Sequence, residues 1–247
     1  MAGEARRNLV VVAVAVVVAG LLLAGGYGLW YLFLRPAGPA AVTASSAPAP
    51  SIAAGASSDP LTGGIDGSWK VDTSIASSTD STKSFVGYRV QETLASIGGN
   101  IAVGRTPNVS GTMTIGGTQV TEATIEADLT ALASDDPRRD GQLRQRGIQT
   151  DQFATATFTL TSPIDLGSVP ADGQEVKVTA NGQLTLHGVT KDVQIPLTAK
   201  LSGGVIAVTG SLPITFADYG VQAPTSFAVV SIEDHGTMEL QLFFTKG

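Results

Sequence analysis

An alternation of apolar and polar residues with a period of two constrains this chain more than any other feature. Along 175–186 the even positions carry apolar or small side chains, while the odd positions carry charged or polar ones. Similar rows run along 109–115, 123–129, 193–201 and 238–244. Because side chains of a strand point alternately to its two faces, each row predicts a strand with one buried face and one solvated face. Strands of a parallel sheet are apolar on both faces, so the rows favour an antiparallel all-β fold.

One stretch interrupts this alternation, between Asp135 and Gly147. It opens with Asp135, Asp136 and Pro137, which are residue types that favour the start of a helix. It closes at a glycine, the residue type that most easily ends a helix. The stretch therefore predicts one main helix near 136–147, inserted between strands.

Short glycine-rich connections, such as Gly116-Gly117 and Gly203-Gly204, separate the rows and suit tight turns. A sandwich and a barrel are both compatible with such turns. The long run from Gln174 to Leu186 favours a closed barrel, because closure removes the exposed edges that long strands would leave. Apolar rows that include Ala and Gly can either line a cavity or allow close packing.

Residues 9–34 form an apolar segment without any charge. At about 1.5 Å rise per residue, a helix of this length spans a hydrocarbon core about 30 Å thick. Arg6 and Arg7 precede the segment and favour a cytoplasmic location for residues 1–8. A cleaved signal peptide is the alternative, although its apolar region covers only about 7–15 residues. We therefore expect a single-pass anchor in the cell membrane, with everything after it extracytoplasmic.

Residues 35–68 consist mainly of Ala, Ser, Pro and Gly. Such a composition buries too little apolar surface to offset the entropy lost on ordering. It predicts a disordered linker, which connects the anchor to one folded domain at residues 69–247.

Charge and composition exclude several classes of function. The net charge of −6 argues against nucleic-acid binding, which needs a basic surface. The chain has no Cys and only two His, so neither a cysteine nucleophile nor a transition-metal site is expected. His187 lacks the accompanying motif of a hydrolase, and we interpret it as a structural residue bonded to backbone at a strand end. No catalytic residue, metal or cofactor is expected.

Several motifs occur in a fixed order along the folded domain. The most specific is GQLTLHGVTK at 182–191. The weaker ones are VGRT at 103–106, Arg139-Asp140, Phe158, FADYG at 216–220 and EDHG at 233–236. In this order the motifs resemble the YceI family of lipid-binding proteins, in the form with an N-terminal anchor found in actinobacteria. The resemblance covers residues 69–247.

This resemblance implies an eight-stranded antiparallel, lipocalin-like barrel with one helix against it. It also implies an apolar pore that holds a long-chain isoprenoid or fatty amphiphile. Candidates for the pore wall are Val86, Tyr88, Met113, Ile125, Phe158, Leu184, Leu186, Ile195, Leu197, Phe216, Leu240, Leu242 and Phe244. Candidates for contact with a phosphate headgroup are Arg89, Arg105, Arg139 and Arg144, because a guanidinium donates in a planar fork. The alternative for each arginine is a surface ion pair, and Arg139 could instead fasten the helix to the barrel.

We expect a non-enzymatic, membrane-tethered, extracytoplasmic protein that transports, stores or sequesters a long-chain isoprenoid or another apolar-chain lipid. The alternative is a ligand-free barrel that serves as a structural or interaction module of the cell envelope. Because ordinary Leu, Ile, Val and Phe suffice to bury an apolar chain, residue types do not distinguish a pore wall from a packed core.

Overall fold

The computed structural model describes residues 15–23, 25–26, 39–42, 47–51, 64–78, 82–95, 98–223 and 229–247. The strands within these ranges are β1 (Pro50–Ser51), β2 (Gly67–Val71), β3 (Ala76–Ser77), β4 (Phe85–Leu94), β5 (Gly98–Thr106), β6 (Val109–Gly116), β7 (Gln119–Asp128), β8 (Ala133–Ser134), β9 (Thr155–Leu160), β10 (Ile164–Asp165), β11 (Glu175–Leu186), β12 (Val189–Ser202), β13 (Val205–Thr215), β14 (Val229–Ile232) and β15 (His235–Lys246). Helix α1 covers Pro137–Gln142 and continues as a π-helical turn over Leu143–Gly147. Short 3₁₀ turns cover Leu129–Ala131 and Phe216–Tyr219.

Eight antiparallel strands form a closed ring, in the order β2, β6, β7, β9, β11, β12, β13 and β15. Closure occurs at β15, which pairs with β13 along one edge and with β2 along the other. The edge that faces β2 is shared, because β2 pairs with Phe244–Lys246 and β4 pairs with Thr237–Gln241. Strands β5 and β8 then extend the sheet from β4. The prediction of an all-β antiparallel barrel is confirmed.

The barrel interior is apolar because each long strand turns its alternate, apolar residues inward. The largest group of buried side chains there includes Trp69, Met113, Leu242 and Phe244. Trp69 is fully buried, and its indole nitrogen donates to the carbonyl of Ile65 at 2.9 Å. The indole N–H would otherwise be an unsatisfied polar group in an apolar interior.

The short helix α1 begins where the sequence predicts. The Asp136 carboxylate accepts from the backbone N–H of Arg138 at 2.9 Å, and Pro137 occupies the first turn. The side chain of Arg139 reaches Glu92 on β4 at 2.6 Å. This ion pair fastens the helix to the sheet, which was the structural alternative for Arg139.

Part of the predicted linker lies against the outer wall of the barrel. The carbonyl of Pro39 accepts from Arg89 at 2.7 Å, and that of Ala40 accepts from Arg105 at 3.2 Å. Ala47 is buried beside Phe243 of β15, and β1 pairs with β3. The described residues 39–42 and 47–51 thus contact the barrel, while the linker at 35–68 as a whole stays a prediction. Composition suggested little apolar burial, but here charged side chains on the barrel bind the backbone of the segment.

The predicted anchor at 9–34 falls mostly outside the described residues. Residues 15–23 and 25–26 of this segment are helical. Among the parts of the chain that the structure describes, no helix combines the length and apolar character that crossing a membrane requires. The short N-terminus at 1–8 lies outside the described residues, so the anchor and its orientation stay predictions.

Candidate functional site

The larger of two cavities has a volume of about 640 Å³. It lies between the inward face of β4, helix α1 and the segment 219–223. Most of its wall is apolar, including Leu129, Leu132, Ile148 and Leu186. Ligand-binding pockets in proteins typically measure about 300–1,000 Å³, so this cavity is large enough for a small-molecule ligand.

The smaller cavity, of about 160 Å³, lies inside the barrel itself. Its wall is apolar except for Gln174 and Lys200, which lie where β11 begins. Val86, Ala156 and Met238 line both cavities. The two cavities therefore adjoin at this level, where these three residues form a common wall.

All of the predicted wall residues lie around these two cavities. Those that line the smaller cavity are Val86, Met113, Ile125, Phe158, Leu184, Ile195, Leu197, Leu240, Leu242 and Phe244. Those that line the larger one are Val86, Tyr88, Leu186 and Phe216. The structure brings these residues together, while their contact with a ligand stays a prediction.

The four candidate headgroup arginines are not brought together. Arg89 and Arg105 project from the outer face of the sheet, where both approach the carboxylate of Glu239, at 2.7 and 3.7 Å respectively. Arg144 is exposed, and it lines neither cavity. Arg139 lines the larger cavity, but it is paired with Glu92. A phosphate site built from these four residues is therefore not assembled in this structure.

Tyr88 lines the larger cavity. Its ring packs over Gly104, where even a methyl group would overlap the ring. The hydroxyl is buried beside Ser134. Burial raises the pKa of this phenol to about 12; Asp140 and Glu92 add to the shift, while Arg139 and a hydrogen bond with Ser134 oppose it. The hydroxyl is therefore protonated at neutral pH and can donate.

Glu92 is a nearly fully buried acid that also lines the larger cavity. Its Oε1 accepts from Arg139 at 2.6 Å and from the Asn100 amide at 2.7 Å. Arg139 also donates to Asp135 at 2.7 Å, so the network joins β4, β5 and the start of α1. Such pairing is what allows a charge to be buried. The sequence analysis did not identify Glu92, although an acid in the same inward row as Val86 and Tyr88 indicates a buried carboxylate.

His187 acts as a structural residue, as predicted. Its Nδ1 lies 3.0 Å from the carbonyl of Tyr219, and its Nε2 lies 3.0 Å from Oε1 of Gln149. The ring also contacts Phe153, with a centroid distance of 4.3 Å. Both ring nitrogens are thus engaged in holding two loops together.

The second histidine, His235, lies in an exposed cluster with Glu233 and Asp234. Its Nδ1 contacts the Asp234 carboxylate at 2.8 Å. This hydrogen bond raises the pKa of His235 and lowers the pKa of Asp234. An exposed ion pair of this kind explains the contacts without a bound metal.

Comparison with known proteins supports the same architecture. The chain resembles the structure of a polyisoprenoid-binding domain from Saccharophagus degradans that is implicated in plant cell wall breakdown. The two are 23% identical with a TM-score of 0.57, over 72% of this chain and 98% of that one. BcnA from Burkholderia cenocepacia is 20% identical with a TM-score of 0.52, over 70% of this chain and 98% of that one. At these identities the similarity shows the fold alone.

Sequence comparison defines the family more directly. None of the curated proteins is a match for this chain. The YceI-like domain family matches residues 78–244, which is more than half of the chain and covers the barrel from β4 through most of β15. The protein therefore belongs to the YceI-like family.

Proposed function

We propose that this protein binds a long-chain isoprenoid or another apolar-chain lipid, in order to transport, store or sequester it. The observation that carries this proposal is the pair of adjoining apolar cavities. Their walls are mostly apolar, so an apolar chain is the ligand that fits them best. Each Å² of apolar surface removed from water contributes about 25 cal/mol, and a long chain accumulates affinity without precise polar contacts.

Binding without catalysis is part of the same proposal. Around the cavities, Glu92 and Arg139 neutralise each other, and both nitrogens of His187 are engaged in loop contacts. These groups hold the fold together, and none of them is poised to exchange a proton with a ligand.

We further propose that residues 9–34 anchor the protein in the cell membrane, with the barrel on the extracytoplasmic side. The support is the uncharged apolar segment and the preceding Arg6 and Arg7. A lipid-binding barrel tethered beside a bilayer would exchange ligand with that bilayer directly.

The direct test is mass spectrometry of lipid extracted from the full chain purified from its native host. We expect one class of long-chain amphiphile at close to one molecule per protein. Protein that carries no lipid, and takes up none from mixtures of isoprenoids and fatty amphiphiles, would support the structural-module alternative instead.

The Leu186→Ser variant separates a binding wall from a packed core. Leu186 lines the larger cavity and is half-buried, so the new hydroxyl should weaken lipid retention while the domain stays folded. In a solid core the change would instead cost about 2–5 kcal/mol of unfolding free energy, with no lipid to lose. The control is Val205→Ser, since Val205 is buried on the outer face and lines neither cavity. We expect this control to lower stability without changing the amount of lipid retained.

A further inference from the structure

One region on the outside of the barrel is buried, although the outward faces of its strands should meet solvent. Phe243 of β15 and Ala207 of β13 point outward, and both are 0% exposed. The described residues that cover this region are 39–42 and 47–51. We call the covered region the outer patch, and it consists of Arg89, Arg105, Val205, Ala207, Glu239 and Phe243.

The polar half of the outer patch binds the main chain of the segment that covers it. Arg89 and Arg105 donate to the carbonyls of residues 39–40, at 2.7 and 3.2 Å respectively. Glu239 accepts from the backbone N–H of Val42 at 3.2 Å. Arg89 and Glu239 also pair with each other at 2.7 Å, so both groups are oriented by the barrel itself. Contacts of this kind recognise an extended backbone and depend little on its side chains.

The apolar half of the outer patch accepts a small side chain. Ala47 packs there and is only 5% exposed. Two positions further on, the carbonyl of Ala49 accepts from the backbone N–H of Ser78 at 2.8 Å, and β1 pairs with β3. The segment is thus held at both of its described ends, by charged side chains at one end and by strand pairing at the other.

We propose that the outer patch is a peptide-docking surface, and that its occupant is residues 39–51 of the same chain, recognised through the main chain and through the small side chain of Ala47. A segment rich in Pro and Ala suits such a surface. Proline restricts the unbound chain, and alanine has no rotamers to lose, so docking costs little conformational entropy. No residue of the outer patch lines either cavity, so docking does not require a bound lipid.

The test follows the reactivity of a single thiol, because the chain contains no Cys. In the full chain, Ala47→Cys should react slowly with a maleimide, since docking buries position 47. Ser51→Cys is the exposed reference within the same segment and should react fast. Adding Val42→Pro to Ala47→Cys removes the N–H that Glu239 accepts, whereas adding Val42→Ala keeps it.

We expect Val42→Pro to speed up labelling of the Ala47→Cys thiol by about tenfold or more, as loss of one hydrogen bond to a charged group predicts. Val42→Ala should change the rate by less than about threefold. Both substitutions lie in the segment rather than in the barrel, so the circular dichroism spectrum should stay that of the wild type. The ratio of the two rates therefore measures docking and not unfolding.

A disulfide trap shows whether the segment docks on its own chain. Ser51 and Ala76 lie directly opposite each other in the pairing of β1 with β3, and such a pair is close enough for a disulfide. The double variant Ser51→Cys/Ala76→Cys, oxidised with diamide at low protein concentration, should form this bond within one chain. The control is Ser51→Cys/Thr190→Cys. Thr190 lies about 40 Å along β12 from Ser202, which precedes the outer patch, so no bond within one chain is expected.

The proposal is overturned if the Ala47→Cys thiol reacts as fast as Ser51→Cys and the disulfide between positions 51 and 76 does not form. Equal labelling rates after Val42→Pro and Val42→Ala would overturn recognition through the main chain. A disulfide that joins two chains would instead identify the occupant as the segment of a second copy. The lipid content of the same preparations is measured separately, so failure of this proposal and failure of the proposed function are distinguishable.

Discussion

Glu239 is buried although it lies on the outer face of its strand, where exposure to solvent is expected. It lies on the outer face of β15, yet its side chain is only 2% exposed. Arg89 contacts it at 2.7 Å, Arg105 at 3.7 Å, and the backbone N–H of Val42 at 3.2 Å. The segment that covers this acid also supplies one of its hydrogen bonds, so the charge is buried together with its partners.

We expect Glu239→Gln to lower the free energy of unfolding by about 3 kcal/mol, because it removes the negative charge that the largely buried Arg89 contacts at 2.7 Å. Denaturant unfolding monitored by circular dichroism measures this loss. Glu233→Gln is the control, since the Glu233 side chain is 48% exposed and should change stability by no more than about 0.5 kcal/mol. Equal stability of the two variants would show that the buried pairs contribute nothing.

The raised pKa of Tyr88 predicts a stability loss at alkaline pH. An unfolded tyrosine releases its proton near pH 10, whereas folded Tyr88 holds it until about pH 12. Between these values the unfolded state binds fewer protons, so stability falls as pH rises, by up to about 2–3 kcal/mol. Tyr88→Phe should remove most of this dependence and the delayed Tyr88 step of the phenolate absorbance titration, while Tyr219, whose pKa burial also raises, keeps a smaller part. A wild-type titration without any delayed step would contradict the prediction.

Whether an acid lies in the inward or the outward row of its strand determines whether the sequence alone indicates that it is buried. Glu92 stands in the inward row of β4, so an acid there already indicates a buried, paired carboxylate. Glu239 stands in the outward row of β15, and nothing within that strand predicts its burial. Its cover comes from residues 39–42, which are about two hundred positions away in sequence and contact it mainly through their backbone. Periodicity describes one strand at a time and carries no information about such a cover.

At the scale of elements, neighbouring strands fit together because glycines leave room for large rings. Gly182 of β11 lies beneath the ring of Phe158 on β9, where an added methyl group would overlap that ring. Gly104 of β5 makes the same space for Tyr88 of β4. Each ring lines a cavity, so the glycines determine the shape of the cavity wall.

Gly182→Ala should therefore force both the Phe158 ring and the backbone carbonyl of Thr159 to move, at a cost of about 1–3 kcal/mol that is typical of overpacking. The displaced ring lines the smaller cavity, so lipid retention should change as well. Gly116→Ala is the matched control, because the nearest atom to its added methyl group is 3.9 Å away. Thermal unfolding of both variants checks the difference, and identical melting temperatures would mean that the Phe158 ring and the Thr159 carbonyl move without cost.

The local sequence predicts which segments form helices or strands, but it predicts less well where each segment ends. The cap at Asp136 and the proline after it predict where α1 begins, and the structure agrees. The change from α-helix to a π-helical turn at Leu143 has no local signal. It occurs where the chain packs against the barrel, since Leu143 joins Leu129, Leu132 and Ile148 in one apolar cluster. Tertiary packing rather than propensity sets that boundary.

For the whole molecule, the sequence predicts that the sheet closes into a barrel, but it does not predict the volume of the cavities. Long alternating strands favour a barrel, and eight of them close one. Leu186 and Leu184 occupy the same row, yet Leu186 lines the larger cavity while Leu184 is buried beside the smaller one. Cavity volume depends on how far opposite walls stand apart, which the order of residues within one strand does not encode.

The proposed membrane topology makes a prediction for the intact protein. A periplasm-dependent reporter enzyme, such as alkaline phosphatase, should be active when fused after Gly247, and deletion of residues 9–34 should abolish that activity. N-terminal sequencing of native protein should find the original start, because the apolar segment exceeds the length of a signal peptide. A native protein that begins after Ala40 would show cleavage and refute the anchor.

If residues 9–34 form the proposed anchor, the contact between Arg89 and Pro39 sets the length of free chain between that anchor and the barrel. If the proposed span ends at Leu34, five peptide steps separate it from Pro39, a reach of at most about 17 Å. Were the contacts of residues 39–51 released, the chain from Leu34 to Gly67 could extend to about 110 Å. A short free chain would keep the cavities near the bilayer and raise their effective concentration there, whereas a long one would lower that concentration. In the proposed arrangement, the contacts of Arg89, Arg105 and Glu239 with residues 39–42 would therefore limit how far from the membrane the barrel could move.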